Sequence, residues 1–289
     1  MIAARRTNPM TLLEAIREFF LSRTAPASLP DLYSALPSEK KHSLRARIYE
    51  NLGRHFKRVG KGVYVAVEGE ATCVVVQGDA WEETKKIPSR SVDCVVTDPP
   101  YPWLDHFVER GTTRRRLDWG YEKREIDREL GLELFRVLKD GAHAFIFVPA
   151  ETEATRKHIE KLIGILEGCG FVFNKRFIWD KLVLGMGYNG RNRYEGILFM
   201  SKGKKRMPLD FSIPDVLDHP ALDSRLRSHE SEKPCWVIEQ LIKFATAAGE
   251  IVLDCFAGSL STGRAALGLG RSAILIEKDA GILAKAVLT

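Results

Sequence analysis

Val92-Asp93-Cys94-Val95-Val96-Thr97-Asp98-Pro99-Pro100-Tyr101 is a run of apolar and β-branched residues that two prolines stop at once, the pattern of a buried strand running into a rigid turn. Its end delivers Asp98 to the carboxyl edge of a sheet, which is where open α/β folds bind ligands. Consecutive prolines fix φ and remove two donors, so Asp98 and the Pro99 carbonyl form a rigid pair of acceptors beside the Tyr101 ring. Such a pair can grip an amino group. By chance this tetrapeptide arises in about one chain per thousand of this length, so it specifies chemistry only together with a partner motif.

The partner lies near the other end, at Val252-Leu253-Asp254-Cys255-Phe256-Ala257-Gly258-Ser259-Leu260-Ser261-Thr262-Gly263, followed by a strand, Ile274-Leu275-Ile276, that ends at Glu277. Here a strand enters a tight turn of small residues and then a helix, whose N-terminal amides suit an anionic group. A carboxylate ending the next strand suits a pair of ribose hydroxyls. Together the two motifs resemble the amino-methyltransferases that use S-adenosylmethionine to methylate exocyclic amines of DNA bases. Their order, catalytic motif first and cofactor motif last, is similar to that of the family's β-class.

The resemblance implies a doubly wound, mostly parallel α/β sheet of Rossmann-like type and S-adenosylmethionine as cofactor. It assigns catalysis to Asp98, Pro99, Pro100 and Tyr101. Asp98 and the Pro99 carbonyl would accept the two amine hydrogens and aim the nitrogen lone pair at the methyl group, while Tyr101 would stack on a base flipped out of the duplex. Asp254, Phe256, Gly258, Ser259, Thr262 and Glu277 would bind cofactor. Lys233, in Ser231-Glu232-Lys233-Pro234, resembles the family's Lys-Pro cofactor motif. Asp79, after Gly78, is either a further cofactor residue or an ordinary turn aspartate. No metal is implied. One position departs from the family: Leu260 stands where glycine is usual, and a positive φ there would strain it.

Composition bounds the rest. Of 289 residues, 45% are hydrophobic, enough for a catalytic domain and a small appendage. No run of 18 or more apolar residues and no charged-then-apolar leader occurs, so the reading is of a cytoplasmic protein without membrane spans. Cys73, Cys94, Cys169, Cys235 and Cys255 include no Cys-x-x-Cys pair, which argues against structural zinc or disulfides. Residues 1–68 carry 12 Lys/Arg against 6 Asp/Glu, so the net charge of +6 resides there and the other 221 residues balance. A basic module on a neutral body fits an auxiliary grip on a polyanion.

Within that module, helical spacing covers residues 11–23, with Asn8-Pro9 as the start signal; Ser28 caps a second helix and a third spans residues 43–55. Residues 56–59 and 63–67 alternate around Gly60-Lys61-Gly62 as a hairpin. The whole resembles a winged helix-turn-helix. That resemblance places Arg45, Arg47 and Arg54 on a recognition helix and Lys57, Arg58 and Lys61 on the wing; a protein-contact cap is the alternative. The expected division is 1–68 for the DNA-binding domain and 69–289 for the methyltransferase domain.

Residues 102–125, with Arg114-Arg115-Arg116, read as a segment that closes over substrate and meets the DNA backbone. The stretch from Gly185 to Glu195, with Tyr188, Arg191, Arg193 and Tyr194, resembles the segment completing the target-base pocket, where Tyr188 or Tyr194 supplies the second aromatic wall. Residues 202–228 stand where the family has its target-recognition segment and are short for one. The expected activity is site-specific N6-adenine methylation of double-stranded DNA. Asp in the first position of the tetrapeptide is the commoner form in N6-adenine enzymes of the family. N4-cytosine methylation, a non-catalytic DNA-binding regulator and an RNA substrate are the rivals, while a cognate restriction endonuclease and a homodimer are partners left open.

Overall fold

The computed structural model describes residues 11–22, 27–50, 56–60, 63–66, 71–101, 124–185, 190–222 and 232–286. Helix α1 (Leu12–Leu21) is capped by Thr11, which forms a capping box with Glu14, each bonded to the other's backbone N–H; Asn8 and Pro9, read as its start signal, lie outside the described residues. Strand β1 (Ala27–Ser28) leads into α2 (Leu29–Ala35), where Ser28 and Asp31 repeat the device. Helix α3 (Lys41–Glu50) precedes strands β2 (Phe56–Gly60) and β3 (Val63–Ala66). The three strands form an antiparallel sheet in the order β1-β3-β2. Ile16, Phe20, Ala27, Leu32, Leu44, Ile48 and Phe56 make its core. A two-residue β1 has no sequence period to betray it.

The remaining described residues build around an eight-stranded sheet. In chain order its elements are β4 (Cys73–Gln77), α4 (Ala80–Lys85), β5 (Val92–Thr97), α5 (Arg128–Val137), β6 (Leu138–Val148), α6 (Glu153–Gly168), β7 (Phe171–Asp180), β8 (Tyr194–Lys202), β9 (Val216–Asp218), α7 (Cys235–Ala245), β10 (Ile251–Asp254), α8 (Ser261–Gly268), β11 (Ser272–Glu277) and α9 (Ala280–Leu283). The strand order is β4-β11-β10-β5-β6-β8-β7-β9. Only β8 runs antiparallel to its neighbours, so the sheet is mostly parallel, as expected.

Helices cover both faces. Trp81, Leu130, Leu134, Val137, Ile159 and Leu166 from α4, α5 and α6 pack with Val95, Ala144 and Ile146 on one side. Val237, Ile238, Leu241, Ala265 and Ala266 from α7 and α8 pack with Cys94, Val96, Phe145 and Phe147 on the other. Burial on both faces is why β5 reads as a continuous apolar run instead of an alternating one. Its one acid, Asp93, is 2% exposed; it accepts Lys139 Nζ at 2.8 Å and the Ile251 amide at 3.0 Å, joining β5 to β6 and β10.

Three features have no counterpart in the sequence pattern. β6 starts at Leu138 and carries Gly141, with φ +76, inside it. The segment 202–228 contributes β9, a three-residue strand between Pro214 and Pro220 that pairs with the end of β7. Helix α4, six residues long, follows Asp79, which caps it through a bond from Trp81 N. Elements this short lie below the window in which periodicity is measurable.

Candidate active site

The strand order reverses where β10 meets β5, so the carboxyl ends of these two strands face a common crevice. A hydrogen bond crosses it: Thr97 Oγ1 donates to Asp254 Oδ1 at 2.7 Å. Asp98 follows immediately. Its Oδ2 receives Lys233 Nζ at 2.5 Å, and Lys233 lies 3.2 Å from Glu195 Oε2. The other oxygen of Glu195 takes Lys181 Nζ at 2.6 Å. The result is a chain of alternating charge, Lys181–Glu195–Lys233–Asp98, in which the last three side chains are 21%, 11% and 21% exposed.

Burial pushes the Asp98 carboxyl upward and Glu195 adds to it, against the pull of Lys233. Burial would lower Lys233, but Asp98 and Glu195 outweigh it and hold the ammonium form. For Glu195 burial is outweighed by Lys233 and Lys181, which keep it below the usual carboxylate range. Tyr101 is drawn inward, its hydroxyl donating to the Phe147 carbonyl and standing 3.4 Å from Asp98 Oδ1. A shallow cleft lies beside the tetrapeptide, walled by Pro99, Pro100, Tyr101, Ile126, Val148 and Ile159. Glu125 and His158, 3.7 Å apart, are its polar members.

On the other side of the crevice, the second motif is organised by two buried carboxylates. Asp254, 5% exposed, accepts Thr97 Oγ1, Thr262 Oγ1 at 2.6 Å and Phe256 N at 3.1 Å, so it fixes the turn and the start of α8. Burial nevertheless pushes its carboxyl up to about 6, against the bonds from Thr262 and Thr97. Glu277, 7% exposed, accepts the amides of Gly258 at 2.7 Å and Asp279 at 2.9 Å, bracing the same turn from β11. Gly258 has φ +49, and no heavy atom lies within 4 Å of where a Cβ would stand, so the turn faces open space. Ser259 is buried and its carbonyl accepts Arg264 Nη1 at 2.7 Å. Phe256 meets Trp81 edge to face at 5.9 Å. Asp79 holds Lys278 at 2.9 Å; its burial is outweighed by Lys278 and the Trp81 amide, which keep it low.

Leu260 has φ +63, so the strain foreseen from the sequence is present. Its side chain is 4% exposed and packs in the core shared with α7 and α8. Apolar burial therefore offsets a backbone cost of about 1–2 kcal/mol. Leu260→Ala keeps the strain and deletes the packing, whereas Leu260→Gly deletes the packing and relaxes the backbone. We expect losses of about 3 and about 2 kcal/mol respectively, measured by urea unfolding; an alanine variant more stable than the glycine variant would refute this account.

The proposed DNA contacts are dispersed. Arg45 and Arg47 are exposed on α3, whose Leu44 and Ile48 are buried. Lys57 and Arg58 lie in β2, paired with Val65 and Tyr64. Arg191 closes its loop by donating to the carbonyls of Gly185 at 2.9 Å and Leu184 at 3.1 Å, while Arg193 pairs with Asp180 at 2.7 Å. The Tyr194 hydroxyl accepts the Glu151 amide at 3.2 Å. Arg54, Lys61, Arg114, Arg115, Arg116 and Tyr188 lie outside the described residues. Sequence reasoning did not single out Thr97, Lys181 or Glu195 as site residues. A usable signal existed for Glu195, a carboxylate opening an otherwise apolar strand. Among the described residues no metal-binding cluster occurs and no helix is long and apolar enough to cross a membrane.

Residues 92–287 match the model of the family described as DNA methylase (N6_N4_Mtase). The DNA adenine methyltransferase YhdJ of Escherichia coli (strain K12) is 28% identical over 247 residues, covering 72% of this chain and 79% of that protein. Among solved structures, the PvuII DNA methyltransferase (cytosine-N4-specific) aligns with a TM-score of 0.58 at 16% identity, over 76% of this chain and 86% of that one. The M1.HpyAVI–SAM complex aligns with a TM-score of 0.54 at 22% identity, over 74% and 98% of the two chains. At such identities the two structures speak to the fold.

Proposed function

The chain belongs to the N6/N4 DNA methylase family, and from that premise we propose that it methylates the N6 amine of an adenine flipped out of double-stranded DNA, with S-adenosylmethionine as donor. The observation that carries the reading is Asp98 at the carboxyl end of β5, with a nitrogen, Lys233 Nζ, already bound to its Oδ2 at 2.5 Å. With Oδ2 held by Lys233, Oδ1 is the carboxylate oxygen that would accept an exocyclic amine.

The residues present fit the cofactor. The open turn at Gly258 and the first amides of α8 would receive its amino-acid part, and Glu277 retains lone pairs for ribose hydroxyls. When bound, S-adenosylmethionine supplies an electrophilic methyl group. The chain's own work is positioning and electrostatic: Asp98 and the Pro99 carbonyl accept the amine hydrogens and turn its lone pair out of the ring. Adenine is preferred to cytosine because the tetrapeptide begins with Asp, as in the family's N6-adenine enzymes. Methyl-label transfer to duplexes whose only target is adenine or only cytosine tests this. Label on cytosine alone would assign N4 methylation.

The order α1-β1-α2-α3-β2-β3 with its small antiparallel sheet supports a winged helix that grips DNA through sequence-independent phosphate contacts. Deleting residues 1–68 should weaken duplex binding and reduce the slope of log K against log salt by about 0.9 per lost phosphate contact, leaving the methylated sequence unchanged. A changed recognition sequence would show that this module reads bases.

A further inference from the structure

Lys233 is placed on the catalytic carboxylate, although the motif around it resembles a cofactor element. Three separate elements converge there: Asp98 ends β5, Glu195 stands at the start of β8, and Lys233 precedes α7. Because β8 is antiparallel, its first residues lie at the same sheet edge as the last residues of β5. Lys181, ending the β7 side of the hairpin, occupies Glu195 Oε1 and leaves Oε2 for Lys233. The Phe147 ring lies 5.4 Å from the Lys233 nitrogen, within cation–π range. Burying ions costs free energy that pairing often only balances, so a four-member ionic chain at this edge calls for a role beyond stability.

We propose that Lys233 and Glu195 are positioning residues for methyl transfer: Glu195 seats Lys233, and Lys233 holds Asp98 as an oriented carboxylate that presents Oδ1 to the substrate amine. This rests on the proposed amino-methyltransferase reading. A protonated Asp98 would offer an O–H donor toward the amine and lose acceptor capacity, and its partly buried site favours that neutral form. A cation bound at Oδ2 opposes it without using Oδ1, whose one described neighbour is the Tyr101 hydroxyl at 3.4 Å. The groups facing Asp98 are Lys233 from the segment before α7, Glu195 from β8, Tyr101 from its own loop and Asp254 from β10. Lys233 is the only cation among these four.

Lys233→Met removes the cation and lets Asp98 protonate at higher pH, so the acid limb of kcat/KM should move up by at least about one unit. Activity on the acid side should then fall about tenfold per unit of that shift and recover in part at pH 9. Lys233→Arg keeps the charge and should restore most of the wild-type profile. Glu195→Gln removes an anion near Asp98, so its acid limb should move down while kcat falls because Lys233 is less firmly seated.

S-Adenosylmethionine affinity, measured by calorimetry on each variant, should stay within about threefold of wild type. The proposal is overturned if the acid limb of Lys233→Met coincides with that of wild type. It is overturned equally if cofactor affinity drops more than tenfold with the profile unmoved, since Lys233 would then be a cofactor ligand. Carboxyl-carbon NMR of the cofactor-free protein, with the Asp98 signal assigned through Asp98→Asn, must show its titration midpoint raised in Lys233→Met. That readout needs no turnover, so it stands even if wild type transfers no methyl to DNA, the result that would refute the proposed function. If Lys233→Met does not fold, the charge-conserving Lys233→Arg and the isosteric Glu195→Gln decide through the same measurements.

Discussion

Asp98→Ala should abolish methyl transfer, lowering single-turnover rates by about 10³ or more, while cofactor affinity stays near wild type. The magnitude is that of removing one well-placed electrostatic partner from a transition state. On the proposed function, the rate effect dominates because the amine would become a better acceptor of the methyl only as its hydrogens are drawn to Asp98 and the Pro99 carbonyl, an interaction that strengthens as charge develops on nitrogen. Cofactor binding survives because the second motif is held by other groups: Asp254 by Thr97 and Thr262, and Glu277 by two backbone amides. Lys233 keeps one counter-ion, Glu195 at 3.2 Å, so the fold should persist with a modest loss of stability. Methyl-label transfer and calorimetry on the same preparation check both halves. Near-normal turnover in this variant would reduce Asp98-Pro99-Pro100-Tyr101 to a strand-ending turn.

The second large effect concerns Asp254. Asp254→Ala leaves the hydroxyls of Thr97 and Thr262 and the Phe256 amide without their shared acceptor inside a buried site, which should cost about 3 kcal/mol or more and remove cofactor binding with it. The isosteric Asp254→Asn separates geometry from charge. In the folded protein the Asp254 carboxyl is pushed up to about 6 by burial, against about 3.9 in an unfolded chain. Between these values the folded state binds a proton that the unfolded state does not, so this group's contribution favours folding at low pH and fades as pH rises from about 4 to about 6. Above that window the unprotonated carboxylate costs on the order of 3 kcal/mol relative to low pH. Subtracting the urea-unfolding curve of Asp254→Asn from that of wild type should expose this decline. A flat difference would mean that the three donors neutralise the cost of burial.

Some features were legible because they are local. The β5 run and its proline stop, the turn before α8, and the strand ending at Glu277 each depend on neighbours within a few residues, and all three stand in the structure where the sequence reading put them. The strain at Leu260 was legible for the same reason, since a positive φ penalises any Cβ. What compensates it was not, because the leucine's burial depends on α7, from a different part of the chain. β9 escaped notice because a three-residue strand is made by its pairing partner and not by its own pattern.

The sequence by itself determined that strand ends would carry Asp98, Asp254 and Glu277, for the hydrophobic runs and turn residues that place them are adjacent in the chain. Only the tertiary structure decided which of these groups meet one another and which cation they meet. Asp98 and Lys233 are separated by 135 residues, and Asp98 and Glu195 share no motif. They converge because β8 runs against the sheet and brings its first residue pair to the edge where β5 ends. Charge pairing over a few ångströms depends on that strand order, and strand order is a property of the packed sheet that no local pattern encodes.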